Sequence, residues 1–575
     1  MPILQNADHP DVSHGIFTDI AGNQYINYTT VNHTHLIDDE KIFAALKPVE
    51  RREYDVPRCM EGTRKDVFRT IDGWLDDFDA PNILWISGSP GAGKSAVASS
   101  LVSELAKRRR LGSYFFFKRG DSSLGDPTAL WRTVACDFAR FNSDVKGGLV
   151  EFLKGPDTRD ADIKLHFECM IEEPLMKNRD KFSATPPVVI LDALDECGTD
   201  DSQSAQRRDV LDTLTSWSRL PSSFKLIVTS RDERVPSLFH DDQACRRITL
   251  ETGDSVSHET VNDIRVFFKK SFDHIAPEVG LPSTWPGEGA IDKLTEHAAG
   301  LFIWAKTAMA FMEEEHGVPH NRLQLILARK LGNGGDNIDT LYRQILDFYF
   351  KKSNDATLEL FRAVVGAIVV AKVPLHRDDL KHFLDRQDDE DQRQFNVILR
   401  KLSSVISMGG HDSLLRLRHL SFAEFLTDIE RCHDRRFFID PSTQRRNLIL
   451  ACLRLMNQGL KFNICDLETS HRRNDDIEDL TFRIERSIPT HLLYSCRFWA
   501  EHLGDSPDAK HGQSVLLKEI EKFLHIHFLH WLEVLSLIKE VSIASMALLT
   551  TARWIEVSLM CQIIISMIPE FDGSF

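Results

Sequence analysis

Eight consecutive residues, Gly88-Ser89-Pro90-Gly91-Ala92-Gly93-Lys94-Ser95, have the spacing GxxxxGK[ST] of a loop that wraps phosphate. Their types dictate the chemistry. Gly88, Gly91 and Gly93 let the backbone curl tightly enough for its N–H groups to face inward around anionic oxygens. Ser89, Pro90 and Ala92 complete the loop and are read as phosphate-binding with it. Lys94 brings an ammonium to the outer phosphates, and Ser95 offers a hydroxyl to Mg²⁺. Ala96 follows at the start of a helix whose N-terminal dipole adds positive potential.

Two further sets of polar residues complete such a site. Val188-Val-Ile-Leu runs into Asp192, placing a carboxylate at the end of an apolar strand, where it can approach the metal beside Ser95. Asp195 and Glu196 follow closely, and one of them can orient or deprotonate an attacking water. Lys225-Leu-Ile-Val ends in Thr229, Ser230 and Arg231. Arg231 suits a terminal phosphate or the charge that develops on it. The catalytic candidates are therefore Lys94, Asp195, Glu196 and Arg231, and the metal candidates are Ser95 and Asp192. The bland alternatives are a surface acidic turn and a solvated arginine.

These side chains need a sheet to align them. Asn82-Ile-Leu-Trp-Ile-Ser, Ser113-Tyr-Phe-Phe-Phe, Val188-Val-Ile-Leu, Lys225-Leu-Ile-Val-Thr and Arg247-Ile-Thr-Leu read as strands, with helical stretches between most of them. Unbroken apolar runs suit strands covered on both faces, so residues 51–255 read as a nucleotide-binding α/β domain with a parallel sheet flanked by helices. Helical periodicity takes over in 256–338. Residues 339–430 hold helices and then a β-like stretch, Leu414-Leu-Arg-Leu-Arg-His, an order that suits a winged-helix unit. Residues 431–575 read as all helical, with Phe523, Phe528, Trp531 and Leu535 as core. Gly332-Asn-Gly-Gly-Asp-Asn reads as a loop. Residues 1–50 form a leader with a β-prone segment from Gly15 to Val31, which could dock on the body or seed self-association.

Bulk properties exclude several classes. A net charge of −16 argues against nucleic acid as a partner. The run Lys107-Arg108-Arg109-Arg110 reads as the solvated end of a helix. The 10 cysteines include no CxxC pair, which points to reduced, buried thiols in a cytoplasmic protein. The first residues lack a signal-peptide pattern, and Val557 to Ile568 is too short for an ordinary membrane span and reads as a buried helix.

GSPGAGKS, VVILDALDEC and KLIVTSRDE together resemble the NACHT ATPases of the STAND class, P-loop NTPases with Walker A and Walker B motifs. Ala193 and the Asp195-Glu196 pair carry part of the likeness. Arg58-Cys-Met-Glu-Gly-Thr-Arg-Lys-Asp-Val-Phe is similar to the segment before the P-loop in fungal NACHT proteins, where it lies near the adenine. His297-Ala-Ala-Gly-Leu-Phe-Ile-Trp-Ala resembles the helical-domain motif, although Gly300 to Phe302 lack the proline of some relatives. Arg418-His-Leu-Ser-Phe-Ala-Glu-Phe-Leu resembles the end of the winged-helix domain. The chain looks most like basidiomycete proteins that often continue into WD40 or ankyrin repeats, so it is expected to be a short form or incomplete. The resemblance implies an NLR-like signal-transduction switch that binds and slowly hydrolyses ATP with Mg²⁺, is closed with ADP, and opens and forms a homo-oligomer on meeting an unidentified protein effector or ligand. It further implies a fungal innate-immune-like or self/non-self role, and His419 as the residue touching the bound diphosphate. No NKxD guanine reader is present, since Thr229-Ser-Arg-Asp has serine where that motif has lysine; ATP is favoured and GTP stays open. The alternatives are a constitutive AAA-like remodelling ATPase and a non-hydrolysing interaction scaffold.

Overall fold

A computed structural model of the chain describes residues 42, 46–49 and 56–567, apart from 120, 122, 154–161, 183–185, 199–202, 233–234, 242, 314–318, 329–336, 386–388, 409–412, 470 and 506–512. The β-prone leader segment and the Gly332 loop lie outside the described residues.

Five strands form one parallel sheet: β1 (Ile83–Gly88), β2 (Leu111–Phe116), β3 (Val188–Asp192), β4 (Lys225–Ser230) and β5 (Cys245–Leu250). Their order across the sheet is β2-β3-β4-β1-β5. Helix α1 (Lys65–Asp76) precedes β1, and α2 (Lys94–Lys107) follows it. Next come α3 (Ala129–Phe141), α4 (Ser143–Phe152), α5 (Ile163–Phe167, carried on through Lys177) and α6 (Ser204–Trp217). The apolar runs explain the layering. Ile83, Trp85, Val189, Leu191, Leu226 and Val228 face one core with Trp131 and Trp217. Their neighbours Leu84, Ile86, Val188, Ile190 and Ile227 face a second core with Val97, Leu101 and Trp74. Alternate side chains of a strand point to opposite faces, so a strand apolar at every position must be covered on both. The outer strand β5 is the exception, with Arg246, Arg247 and Thr249 in its middle. Asn82 anchors the base of β1 by donating to the carbonyls of Trp217 and Leu220, each at 3.0 Å.

Helices dominate after β5. Helix α7 (His258–Glu278) starts from Ser257, whose hydroxyl accepts from Thr260 N, and α8 (Glu288–Ala298), α9 (Phe302–Glu313) and α10 (Pro319–Leu327) follow. Helices α11 (Asn337–Phe350) and α12 (Asp355–Val370) lead to the short strand β6 (Leu375–His376), then α13 (Arg377–Phe383) and α14 (Asp389–Lys401). Strands β7 (Ile406–Met408) and β8 (Leu414–Leu417) pair antiparallel, and the small sheet has the order β6-β8-β7. The chain continues as α15 (Leu420–Thr427), α16 (Ile429–Cys432), α17 (Pro441–Gly459), α18 (Leu480–Ser487), α19 (Thr490–Gly504), α20 (Gln513–Lys522), α21 (Phe528–Leu537) and α22 (Ser542–Met567). One cluster of buried apolar side chains runs from Ile264 to Ala547 and includes Phe523, Trp531 and Leu535, with Phe528 packed against it. No helix among the described residues is long and apolar enough to cross a membrane.

Lys107 ends α2, and the cations after it are paired: Arg108 with Asp72 and Glu104, and Arg110 with Asp76. Nine cysteines among the described residues are free thiols, seven of them buried.

Candidate functional site

Strand β1 ends at Gly88, and the loop to α2 turns through Gly91 (φ 83°) and Gly93 (φ 102°). This left-handed backbone is open to glycine and costly for other residues. Gly88 is confined as well: a Cβ there would lie 2.9 Å from the carbonyl oxygen of Leu250 on β5. Ser89 is exposed, Pro90 half-buried and Ala92 buried. Ala92 N donates to Ser89 O at 3.2 Å, and Ser89 Oγ pairs with Thr252 Oγ1 at 3.1 Å. No side chain caps the N-terminus of α2. Its first amides are therefore free of side-chain acceptors and suited to an anion. Lys94 folds back over the loop and donates to the carbonyls of Gly88 at 2.6 Å and Ser89 at 3.1 Å. Burial lowers its pKa, against the pull of Asp195 and Asp192. Ala96 belongs to the first turn, where its carbonyl accepts from Ser100 Oγ at 2.8 Å.

The sheet order decides how the second motif meets the first. Strand β4 lies between β1 and β3, so its end residues stand between the loop and Asp192. Thr229 uses that position: its hydroxyl donates to Asp192 Oδ1 at 2.5 Å and accepts from Ala193 N at 3.0 Å. Asp192 is 2% exposed. Burial pushes its carboxyl up to about 6, while hydrogen bonds from Thr229 and Ser95 and the charge of Lys94 hold it down. Ala193 adopts the left-handed conformation (φ 56°) and bends the chain into a short 3₁₀ turn, Leu194–Glu196. The bend turns the next two carboxylates in different directions. Asp195 accepts from Arg231 N and Nε, both at 3.1 Å. Glu196 Oε2 accepts from Arg119 N at 2.8 Å, and burial, with Asp195 and Asp192 adding, pushes its carboxyl up to about 7. Ser230 is buried and structural, bonding Trp85 Nε1 at 2.8 Å.

The donor set fits a hard divalent cation on the phosphates. Ser95 lies near enough for its hydroxyl to stabilise the Asp192 carboxylate, which puts one hydroxyl and one carboxylate side by side at the mouth of the loop. Among the described residues no three His, Cys, Asp or Glu side chains gather to hold a metal. An Mg²⁺ ion here would draw its remaining oxygens from phosphate and water, which is its usual habit.

Three groups from outside the sheet reach the same place. Arg231 Nη2 donates to Glu424 Oε1 on α15 at 2.6 Å, so its guanidinium lies between Asp195 and Glu424. His419 caps α15, its Nδ1 accepting from Ser421 N at 3.1 Å. Burial drives its pKa down to about 4, helped by the nearby charges of Lys94, Arg231 and Lys306 and opposed by Glu424. The third is Arg64, which is 5% exposed. It donates to the Ala92 carbonyl inside the loop at 2.7 Å and to Thr260 Oγ1 at 2.9 Å, and lies over the ring of Phe302 at 5.0 Å. Ile303 beside it closes on the loop, with Ile303 N donating to Gly91 O at 3.1 Å. Gly300 (φ 83°) permits this approach, because a Cβ there would lie 2.8 Å from Val256 Cγ2.

Lys94, Ser95, Asp192, Asp195, Glu196, Arg231 and His419 thus act electrostatically on one another as a single cluster. Arg64, Arg119 and Glu424 join it without having been singled out in the sequence. Arg64 and Glu424 lie inside quoted motifs, but nothing in one sequence pairs either with its partner.

A family described as Nephrocystin 3, N-terminal, matches residues 62–231, which span the loop, both acidic motifs and Arg231. Vegetative incompatibility protein HET-E-1 of Podospora anserina is 25% identical over 493 residues. Over these motifs the chain is similar to the NACHT-type NTPases of the STAND class. The match covers 80% of this chain and 34% of HET-E-1, so the chain spans about a third of that relative's length. Among solved structures it is similar to a STAND protein with a tetratricopeptide repeat sensor from Pyrococcus horikoshii, with 13% identity, 88% of this chain and 65% of that one covered, and a TM-score of 0.35. It is also similar to Cdc6p from Pyrobaculum aerophilum, with 13% identity, 65% and 93% covered, and a TM-score of 0.29.

Proposed function

We propose that this chain is a NACHT-type, nucleotide-operated switch that binds ATP and ADP with Mg²⁺, hydrolyses the triphosphate slowly, and uses the difference between the two to govern opening and self-association. The observation that carries the reading is the convergence of Lys94, Ser95 and Asp192 on an uncapped helix start, with His419 and Glu424 of the 339–430 segment drawn against the same site. A ligand can move an equilibrium only through unequal affinity for its two states. A site shared between the sheet and the later helices provides for such inequality.

In this reading the loop amides and Lys94 hold the phosphates. Ser95 and Asp192 would hold Mg²⁺, which neutralises charge on the phosphate oxygens when bound. Glu196 has one oxygen fixed by Arg119 N, and its other oxygen is the candidate to take a proton from water. Its carboxyl at about 7 suits a base at neutral pH. Asp195 is engaged with Arg231 and acts as a positioning residue. We further propose that the helices and small sheet of 339–430 form a winged-helix unit, that 51–255, 256–338 and 431–575 are the remaining domains, and that the protein is cytoplasmic. HET-E-1 is named for vegetative incompatibility, which supports a fungal self/non-self role.

Calorimetry on the purified chain tests the site. Wild-type protein should bind Mg-ATP, and Lys94→Ala should lower that affinity by at least about a hundredfold, as expected when a charge-assisted contact to phosphate is lost. Unchanged affinity in the variant refutes the assigned pocket.

A further inference from the structure

Glu424 belongs to α15, far from the sheet in sequence, yet its carboxylate lies at the sheet's edge among three guanidinium groups. Oε1 accepts from Arg231 Nη2 at 2.6 Å, and Arg119 Nη1 lies 3.9 Å from the same oxygen. Oε2 lies 3.5 Å from Arg431 Nη1. The three arginines come from different places: the loop after β2, the end of β4, and α16. Two of them are braced from behind. Asp339 grips Arg431 at 2.7 and 2.9 Å, and Asp195 grips Arg231 at 3.1 Å. The carboxylate is only 18% exposed. Such an array is a cradle for a compact anion, because guanidinium forks match carboxylate and phosphate oxygens alike. It adjoins Lys94, whose ammonium feels both Asp195 and Arg231. In this structure the chain fills the cradle with a carboxylate of its own.

We propose that Glu424 is the residue that sets the choice between nucleoside diphosphate and triphosphate, by occupying the guanidinium of Arg231 that a terminal phosphate requires. The inference rests on the nucleotide reading of the site given above. A triphosphate places additional negative charge beside Arg231. While Glu424 stays, that charge meets a fixed like charge and finds its cation engaged. A diphosphate lacks the group in question and carries no such cost. Displacing Glu424 breaks its contacts with Arg119, Arg231 and Arg431 together, so accepting the third phosphate and releasing α15 from the sheet are one event. The discrimination is therefore built from repulsion as well as attraction.

The test measures the affinities of the full chain for Mg-ADP and for a non-hydrolysable Mg-ATP analogue, and takes their ratio. Glu424→Gln keeps the shape and removes the charge; the ratio should move toward the triphosphate by about tenfold or more, the scale of one charge-assisted contact. The shift should vanish when Arg231→Ala is added. Glu424→Asp, which draws the carboxylate back from Arg231, should shift the ratio in the same direction by less, and serves if the glutamine variant does not fold. An unchanged ratio in a folded variant overturns the proposal, and so does a shift that survives without Arg231. If the wild-type chain binds neither nucleotide, the site reading itself fails and takes this inference with it; that result is visible before any variant is made.

Discussion

Gly91 offers the sharpest test of how the helical segment closes on the phosphate-binding loop. An alanine Cβ at this position would lie 2.0 Å from Ile303 Cγ2 and 2.9 Å from Ile303 Cβ, at a backbone φ of 83°. Two costs follow. Holding a non-glycine residue in the left-handed region costs about 1–2 kcal/mol, and forcing a methyl into an occupied space costs about 1–3 kcal/mol. Gly91→Ala should thus destabilise the folded chain by roughly 2–5 kcal/mol. Ile303 is buried, so Ile303→Ala has its own cost, but it removes the colliding atoms. In that background Gly91→Ala should cost only the backbone share, about 1–2 kcal/mol. Urea unfolding of the four proteins, wild type, both singles and the double, gives the coupling directly. Equal cost for Gly91→Ala with and without the isoleucine side chain would mean that α9 does not seat on the loop.

Two further outcomes test the chemistry. Glu196→Gln should leave Mg-ATP binding intact and slow hydrolysis by about 10²–10⁴-fold, while wild-type turnover should rise with pH through about 7, the value to which burial pushes this carboxyl; equal turnover would move the base to Asp195 or elsewhere. His419 has a folded-state pKa of about 4, below the ordinary imidazole value, so its contribution is complete above about 6.5 and is lost as pH falls through about 4. Its ceiling is about 3 kcal/mol, reduced by solvent at the part-open ring; His419→Ala should flatten the acid side of the stability profile relative to wild type, and an identical slope would demote the ring to packing.

What the sequence revealed depended on how local each signal was. The inner strands β1, β3 and β4 of the large sheet are legible because a strand covered on both faces must be apolar nearly throughout, as Val188 to Leu191 are. Leu414 to Leu417 was legible too, but its partners β6 and β7 are two and three residues long and carry no period to read. The loop motif fixed Lys94 and Ser95 through spacing alone. Ala193 enters the sequence only as part of the family likeness; its left-handed φ explains why the two following carboxylates diverge. Arg231 was visible at a strand end, but its partner Glu424 is 193 residues away and Thr260, a partner of Arg64, is 196 away. Such pairs form only after the helices pack, and no local pattern announces them.

The apolar interior also bears on how the chain can be cut. The apolar layers on the two faces of the large sheet draw their buried side chains from residues 42–250, so a fragment ending near Leu250 keeps both of them covered. Beyond it the packing from Ile264 to Ala547 is one continuous mass. A stop codon inside that stretch would leave part of this mass open to water, and the product should clump rather than persist as a shorter working piece.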